Sequence, residues 1–256
     1  MCILTYFAPG IAPDLDALWG GALANPHGHG YAVITGDRIV VGRGLDPDVV
    51  ISEFAAVRGE YPEGAALFHS RLATHGPIDL ANTHPFAVGG DERTVIAHNG
   101  ILPASMHPGP GDLRSDTRIA AEDFLPRQPF GSLNSRIGHD RLERWLGTDK
   151  MVLFTVDPAY QQRVLLFNQD LGHRSDAGIW YSNLSYRTPR WAYGSDYSIE
   201  DEVYCLDCGE YDPERPGSHC TYCGFCAECL RTFPHCECRD LHGRDRYADL
   251  NEYLTA

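Results

Sequence analysis

Over the first 199 residues the apolar positions fall into short unbroken runs more often than into long periodic stretches. Runs of strand type occur at Ile3–Phe7, Tyr31–Ile34, Arg38–Val41, Ala65–Phe68, Thr94–Ala97, Met151–Val156 and Arg163–Phe167. Helical spacing is confined to Ala12–Ala24, Asp48–Arg58, Asp112–Phe124 and Leu142–Leu146, with Val49, Val50, Phe54 and Val57 expected on one face of the second. Strand pairs interspersed with helices predict an α+β arrangement, a mixed sheet or two stacked sheets covered by helices, and not a strict βαβ alternation. The Gly/Pro-rich segment Pro103–Gly111 reads as a mobile surface loop.

Composition narrows the class. A chain of 256 residues and 28.4 kDa fits one large domain, or one medium domain with a small appendage. With 43% hydrophobic residues, a mean hydropathy of −0.30 and no apolar run near the ~20 residues that cross a bilayer, no membrane association is expected. The formal charge is −14, and Lys150 is the only lysine. A net-acidic chain without basic blocks is a poor ligand for phosphate backbones, so no nucleic-acid partner is expected. The opening Met1-Cys2-Ile3-Leu4-Thr5 lacks the basic and long apolar regions of a secretory signal, which predicts a cytoplasmic protein.

Cysteine usage divides the molecule. Apart from Cys2, all cysteines lie between Cys205 and Cys238, so residues 1–199 are expected to form the main domain and 200–256 a second module. In a reducing compartment such clustering favours metal ligation over disulfides. Cys205-Leu206-Asp207-Cys208-Gly209 and Cys220-Thr221-Tyr222-Cys223-Gly224 are two knuckles with the spacing of a zinc ribbon. Cys226, Cys229, Cys236 and Cys238 can complete a second four-thiolate site, and cross-braced pairing fits equally well. The ladder Cys220, Cys223, Cys226, Cys229 is similar to part of a ferredoxin run but lacks the Cys-x₃-Cys-Pro ending. Two structural zinc ions are therefore expected, and a small module with so thin an apolar complement should need them to fold. Residues 200–256 hold 13 acidic residues and 5 arginines, a net of −8, which again argues against nucleic acid.

Cys2 is the most informative residue of the main domain, because removal of Met1 would leave a thiol and a free α-amine on one residue. An α-amine titrates at about 7.7–8.0 and can accept the thiol proton near neutrality. Motifs follow in order: Asn25-Pro26-His27-Gly28-His29-Gly30, His69-Ser70-Arg71-Leu72-Ala73-Thr74-His75-Gly76, Asn82-Thr83-His84-Pro85-Phe86, Ala97-His98-Asn99-Gly100 and Ser115-Asp116-Thr117. Over roughly residues 2–185 this series resembles the class II glutamine amidotransferases, whose glutaminase domains use an N-terminal nucleophile, and it is most similar to their short, stand-alone members.

The resemblance implies a four-layer αββα N-terminal nucleophile hydrolase sandwich. It implies that Arg71 binds the α-carboxylate of L-glutamine, that Asp116 pairs with its α-ammonium, and that Asn99 and Gly100 form the oxyanion hole. A guanidinium suits bidentate carboxylate binding, and one oxyanion donor is worth ~3 kcal/mol in the transition state. Thr74 and Gly76 are further candidates for backbone contacts to substrate. His69, His75, His84 and His98 surround the motifs, and none is assigned to catalysis. His27 departs from the family, where many relatives carry aspartate. The expected reaction is thioester formation on Cys2, release of ammonia, and hydrolysis to glutamate. The ammonia would pass to an acceptor on a partner synthetase, since no Gly-x₄-Gly-Lys-Ser/Thr loop occurs. The acidic tail is expected to dock to another protein or cover the glutaminase site. Two alternatives stand beside this reading: hydrolysis of another amide, or a catalytically decayed zinc-containing interaction protein.

Overall fold

The computed structural model describes residues 2–187. In chain order these form β1 (Ile3–Phe7), α1 (Leu15–Ala24), β2 (His29–Thr35), β3 (Arg38–Gly44), α2 (Pro47–Glu60), β4 (Ala66–Ser70), β5 (Phe86–Val88) and β6 (Asp91–Asn99). They continue with α3 (Asp116–Ile119), α4 (Arg136–Leu146), β7 (Lys150–Thr155), β8 (Val164–Phe167), β9 (His173–Arg174) and β10 (Trp180–Tyr181). The expected zinc module at 200–256, its eight cysteines and the boundary at 199 lie outside the described residues.

Two antiparallel sheets result, one of six strands in the order β3-β2-β4-β1-β10-β9 and one of four in the order β5-β6-β7-β8. Strands buried on both faces read as continuous apolar runs, which is why β1, β4 and β7 show no polar alternation. Alternation survives in where successive side chains go. Ile3 and Phe7 of β1 join Leu18, Val50 and Phe54 of α1 and α2 in one apolar cluster. Leu4 enters a second cluster with Val95, Ala97, Val152 and Phe154 of the other sheet. A third joins Ile96, Met151 and Leu153 to Ala120, Leu142 and Leu146.

Local chemistry moves the helix limits from those expected. α1 begins at Leu15, three residues late, because the Asp14 carboxylate caps Ala17 N–H at 3.0 Å. α2 begins on Pro47 behind the Asp46 cap, and its buried face is Val50, Ile51, Phe54 and Arg58, with Val49 51% exposed. The helical periodicity over Asp112–Phe124 is interrupted at its start. The Asp112 carboxylate binds the backbone N–H and guanidinium of Arg114, holding those residues out of the helix until Ser115 caps α3. α3 then passes into one π turn, Ala120–Phe124. α4 starts six residues before the expected Leu142, capped by Ser135 Oγ at 3.1 Å from Gly138 N. Within the expected loop Pro103–Gly111, Ala104–Met106 form a 3₁₀ turn and Met106 is buried in the third cluster. Among the described residues, no helix is long and apolar enough to cross a membrane.

Candidate active site

β1 and β4 pair with Ile3 opposite Ser70, so the chain entering β1 meets the chain leaving β4. There the Cys2 sulfur accepts the Leu72 N–H at 3.3 Å and lies 3.6 Å from the Leu72 carbonyl oxygen. Alternation along β1 puts Cys2 on the side of Leu4, which faces the second sheet. Asn99 ends β6 on the same face as Val95 and Ala97. Its Nδ2 donates to Ser182 Oγ at 2.9 Å, and that oxygen also accepts Leu4 N–H at 2.8 Å. The Asn99 amide thus sits two residues along β1 from Cys2, and its Oδ1 is buried with no hydrogen-bond partner. Gly100 has φ +145°, and a Cβ there would lie 2.0 Å from the Asp149 carboxyl carbon, so no other residue fits this turn.

Arg71, 2% exposed, follows β4 directly. Its backbone is held by Gly28 and His27, with Arg71 N–H donating to Gly28 O at 2.8 Å and His27 N–H to Arg71 O at 2.9 Å. The guanidinium differs from the free clamp expected of it. It donates to Pro77 O at 2.8 Å, His75 O at 2.6 Å and Gly76 O at 3.5 Å, using three of its five N–H groups to shape its own loop. Gly76 serves packing as well, since at φ +72° a Cβ would meet Leu113 O at 2.9 Å. Thr74 is exposed on the same loop. His27 Nδ1 accepts Ala73 N–H at 2.9 Å, an acceptor role that a carboxylate would also fill. Burial, with a smaller push from Arg71, holds the His27 imidazole below its usual pKa and keeps that acceptor available.

Asp116 is the first residue of α3 and does more than complement a helix dipole. Its Oδ2 accepts Leu102 N–H at 2.8 Å and its Oδ1 accepts Thr117 N–H at 2.8 Å, tying it to the chain just beyond Gly100. Burial pushes the Cys2 thiol up, while the Leu72 N–H and the Arg71 charge favour the thiolate and Asp116 opposes it. Burial pulls Arg71 down, and the charges of Cys2, Asp79 and Asp116 act the other way.

The histidines pack as structural groups. His69 Nε2 is 3.0 Å from His98 O, joining the two sheets, and the His69 and His84 rings pack at a tilt with centroids 3.9 Å apart. His29 Nδ1 meets Ser70 Oγ at 3.0 Å. Three residues of the site escaped sequence reasoning. Asn82 bridges the Arg71 loop and α3, donating to Leu113 O at 2.9 Å and accepting Ser115 N–H at 2.7 Å. Its only signal was its place at the head of a motif. Ser182 had no signal. Asp149 sits beside Lys150, the sole lysine, which is buried opposite Asn99 in the β6–β7 register.

Open cavities of about 760 and 810 Å³ lie at the other end of β1, sharing Tyr6, Gln162 and Val164, and neither includes a site residue. Among the described residues, His139, Asp140 and Glu143 on α4 are grouped closely enough to hold a metal ion, although Glu143 already accepts Asn168 N–H at 2.8 Å.

No protein-family model and no curated protein matches the chain. Solved structures do. A glutamine phosphoribosylpyrophosphate amidotransferase from B. subtilis, complexed with ADP and GMP, is similar with 17% identity and a TM-score of 0.42. A structure described as the allosteric regulatory enzyme of purine biosynthesis shows 16% identity and a TM-score of 0.38. Each match covers 71% of this chain and 41% of that one, so the chain spans well under half the length of either protein. A glutamine aminotransferase class-II domain protein from Silicibacter pomeroyi shows 15% identity and a TM-score of 0.33, over 71% of this chain and 87% of that one.

Proposed function

We propose that the chain is a glutaminase of the class II glutamine amidotransferase type, built as a four-layer αββα sandwich. The layering is supported by the three apolar clusters, one beneath α1 and α2, one between the sheets and one beneath the π turn and α4. The observation that carries the function is that the Cys2 sulfur accepts the N–H of Leu72, the residue after buried Arg71, while the buried Asn99 amide and Leu4 share Ser182 Oγ two residues along β1 and Asp116 is tied to the chain just beyond Gly100. A free amino acid carries the pair of charges complementary to Arg71 and Asp116.

Mature Cys2, freed of Met1, transfers its thiol proton to its own α-amine and attacks the side-chain carboxamide of L-glutamine. The S–C bond forms as the carbonyl oxygen becomes an oxyanion held by the Asn99 amide and the Gly100 N–H. Collapse breaks the C–N bond, and the proton held by the amine leaves with ammonia. Water hydrolyses the glutamyl thioester, releasing glutamate and restoring the thiol. The ammonia then serves an acceptor on a partner enzyme. The paired Cys-x₂-Cys donors Cys205/Cys208 and Cys220/Cys223, with Cys226, Cys229, Cys236 and Cys238, suit two structural zinc ions.

The Arg71 bonds to its own loop favour a second reading, in which the substrate is another amide lacking a free α-carboxylate. The glutamine mimic 6-diazo-5-oxo-norleucine separates the two. Intact mass and peptide mapping should show loss of Met1 and one adduct on Cys2, blocked by glutamine. Retention of Met1 refutes both readings. An unlabelled Cys2 that still reacts with small thiol reagents refutes the glutamine reading alone.

A further inference from the structure

The loop between α4 and β7 delivers a partly buried carboxylate to the back of the Gly100 turn. Asp149 is fixed by its own backbone, its N–H donating to Leu146 O at 3.1 Å and its carbonyl accepting Asn168 Nδ2 at 2.7 Å. Its side chain, 16% exposed, fills the space a Gly100 Cβ would need, and its Oδ2 lies 3.2 Å from His98 Nε2. His98 Nδ1 lies 3.0 Å from Thr117 Oγ1, and Thr117 Oγ1 lies 3.4 Å from Asp116 Oδ1. A continuous polar chain thus runs from beneath the Gly100 turn to Asp116.

Counting protons along it fixes its direction. In the state with Asp149 ionised and a single proton on His98, the carboxylate only accepts and so selects the tautomer with that proton on Nε2. The neutral ring then offers Nδ1 as an acceptor, and the single Thr117 hydroxyl proton goes to it over the shorter contact, leaving Asp116 Oδ1 to its backbone partner. Without Asp149 nothing selects that tautomer, the Thr117 proton is free to turn to Asp116, and the Gly100 turn loses its support.

We infer that Asp149 is a positioning residue, which braces the Gly100 turn and, through His98 and Thr117, sets the hydrogen bonding of Asp116. The inference rests on the glutaminase reading of the site. Asp149→Ala should lower kcat by about ten-fold or more, part of the ~10²–10³ that a whole oxyanion donor contributes. Asp149→Asn refills the space and offers an oxygen to the same N–H, so it should recover most of that loss. Thr117→Val cuts the link at the far end and should raise KM for glutamine more than it lowers kcat. Nitrogen-15 NMR of the full chain, with the His98 signals assigned by their loss in His98→Gln, should show Nε2 protonated in the parent and the opposite or mixed tautomer in Asp149→Ala. The NMR readout does not depend on turnover, so a parent that fails to hydrolyse glutamine overturns the glutaminase reading and leaves the positioning testable. An unchanged His98 tautomer in Asp149→Ala, or equal loss of kcat in the Ala and Asn variants, overturns the positioning role.

Discussion

Buried histidines make stability fall as the medium turns acidic, and His84 isolates the effect. Burial holds His29 down to about 4, His69 down to about 3 and His84 well below its usual value. In the unfolded chain each titrates near 6.5. Between those values the unfolded chain binds a proton that the folded chain refuses, so the stability present above about pH 6.5 is lost as pH falls through this window. The slope is about 1.4 kcal/mol per pH unit per histidine, hence about 2 kcal/mol each at about pH 5, and about 6 kcal/mol for three. That is comparable with a typical domain's entire 5–15 kcal/mol. Asp149, raised by burial, works in the opposite direction and offsets part of the loss. Both ring nitrogens of His84 lack a hydrogen-bond partner, and the ring packs on His69 and on Phe86 at 4.6 Å. His84→Phe therefore removes one titration and keeps the stacking. Urea unfolding of parent and variant should show the variant at least as stable at about pH 7 and more stable by about 2 kcal/mol at about pH 5. Comparing two chains at each pH cancels the titrating groups remote from His84, while His69 and His98 stay coupled to that position. Parallel losses in both would refute the claim that a neutral His84 is forced by burial.

Other expectations concern separate parts of the molecule. Asn99→Ala should lower kcat about 10²–10³-fold with little change in KM, measured by glutamate release. Ser182→Ala leaves the Leu4 N–H buried without its acceptor, so unfolding should cost about 1–3 kcal/mol less, and kcat should fall as the Asn99 amide loses its anchor. Arg58 donates to the carbonyls of Tyr61, Pro62, Gly64, Ala8 and Ile11, so Arg58→Lys, which cannot span that fork, should destabilise the chain by about 3 kcal/mol or more on thermal unfolding. Metal analysis of the purified full chain should find about two zinc ions and little iron, and chelation should release both.

Strand positions were legible in most of both sheets. β1 was bounded in full, and β2, β3, β4, β6, β7 and β8 were located with ends displaced by a few residues: continuous apolar runs mark β1, β2, β4 and β7, while β3 and β8, each partly open on one face, still carry short apolar runs. β9 and β10 have only two residues each, too few to show a period, and β10 exists because Thr5 and Tyr6 of β1 offer it an edge. The helical face of α2 was misread by one position. Val49 looks apolar and regularly placed, but the Asp46 cap sets the phase of the helix, which turns Ile51 inward.

Site residues divide by the same logic. Asn99, Gly100 and Asp116, candidates from their motifs, fall at local geometries that a sequence can signal, a turn after a strand and the first residue of a helix. Arg71 was located, but its bonding was not. Whether a guanidinium faces a ligand or its own loop depends on where the chain at residues 75–77 returns, and no spacing encodes that. Asp149, Ser182 and Asn82 act across sequence separations of 51, 83 and 33 residues respectively, the distances over which only the folded chain brings partners together. Each holds a motif residue and touches no expected substrate atom. Supporting groups of this kind leave no signature of their own, since any residue of suitable shape and hydrogen-bonding capacity can fill the role. Asp149 is the informative case: the resemblance gives Gly100 a place in the oxyanion hole, and the structure adds that the Asp149 carboxylate stands where a side chain at position 100 would go. A Gly100→Ala variant should therefore lose activity even toward a substrate small enough to leave the oxyanion turn uncrowded, because the collision is with the protein's own carboxylate. Because Gly100 also has φ +145°, Asp149→Gly should not restore turnover to Gly100→Ala; full recovery in the double variant would refute the claim that the backbone of this turn requires glycine.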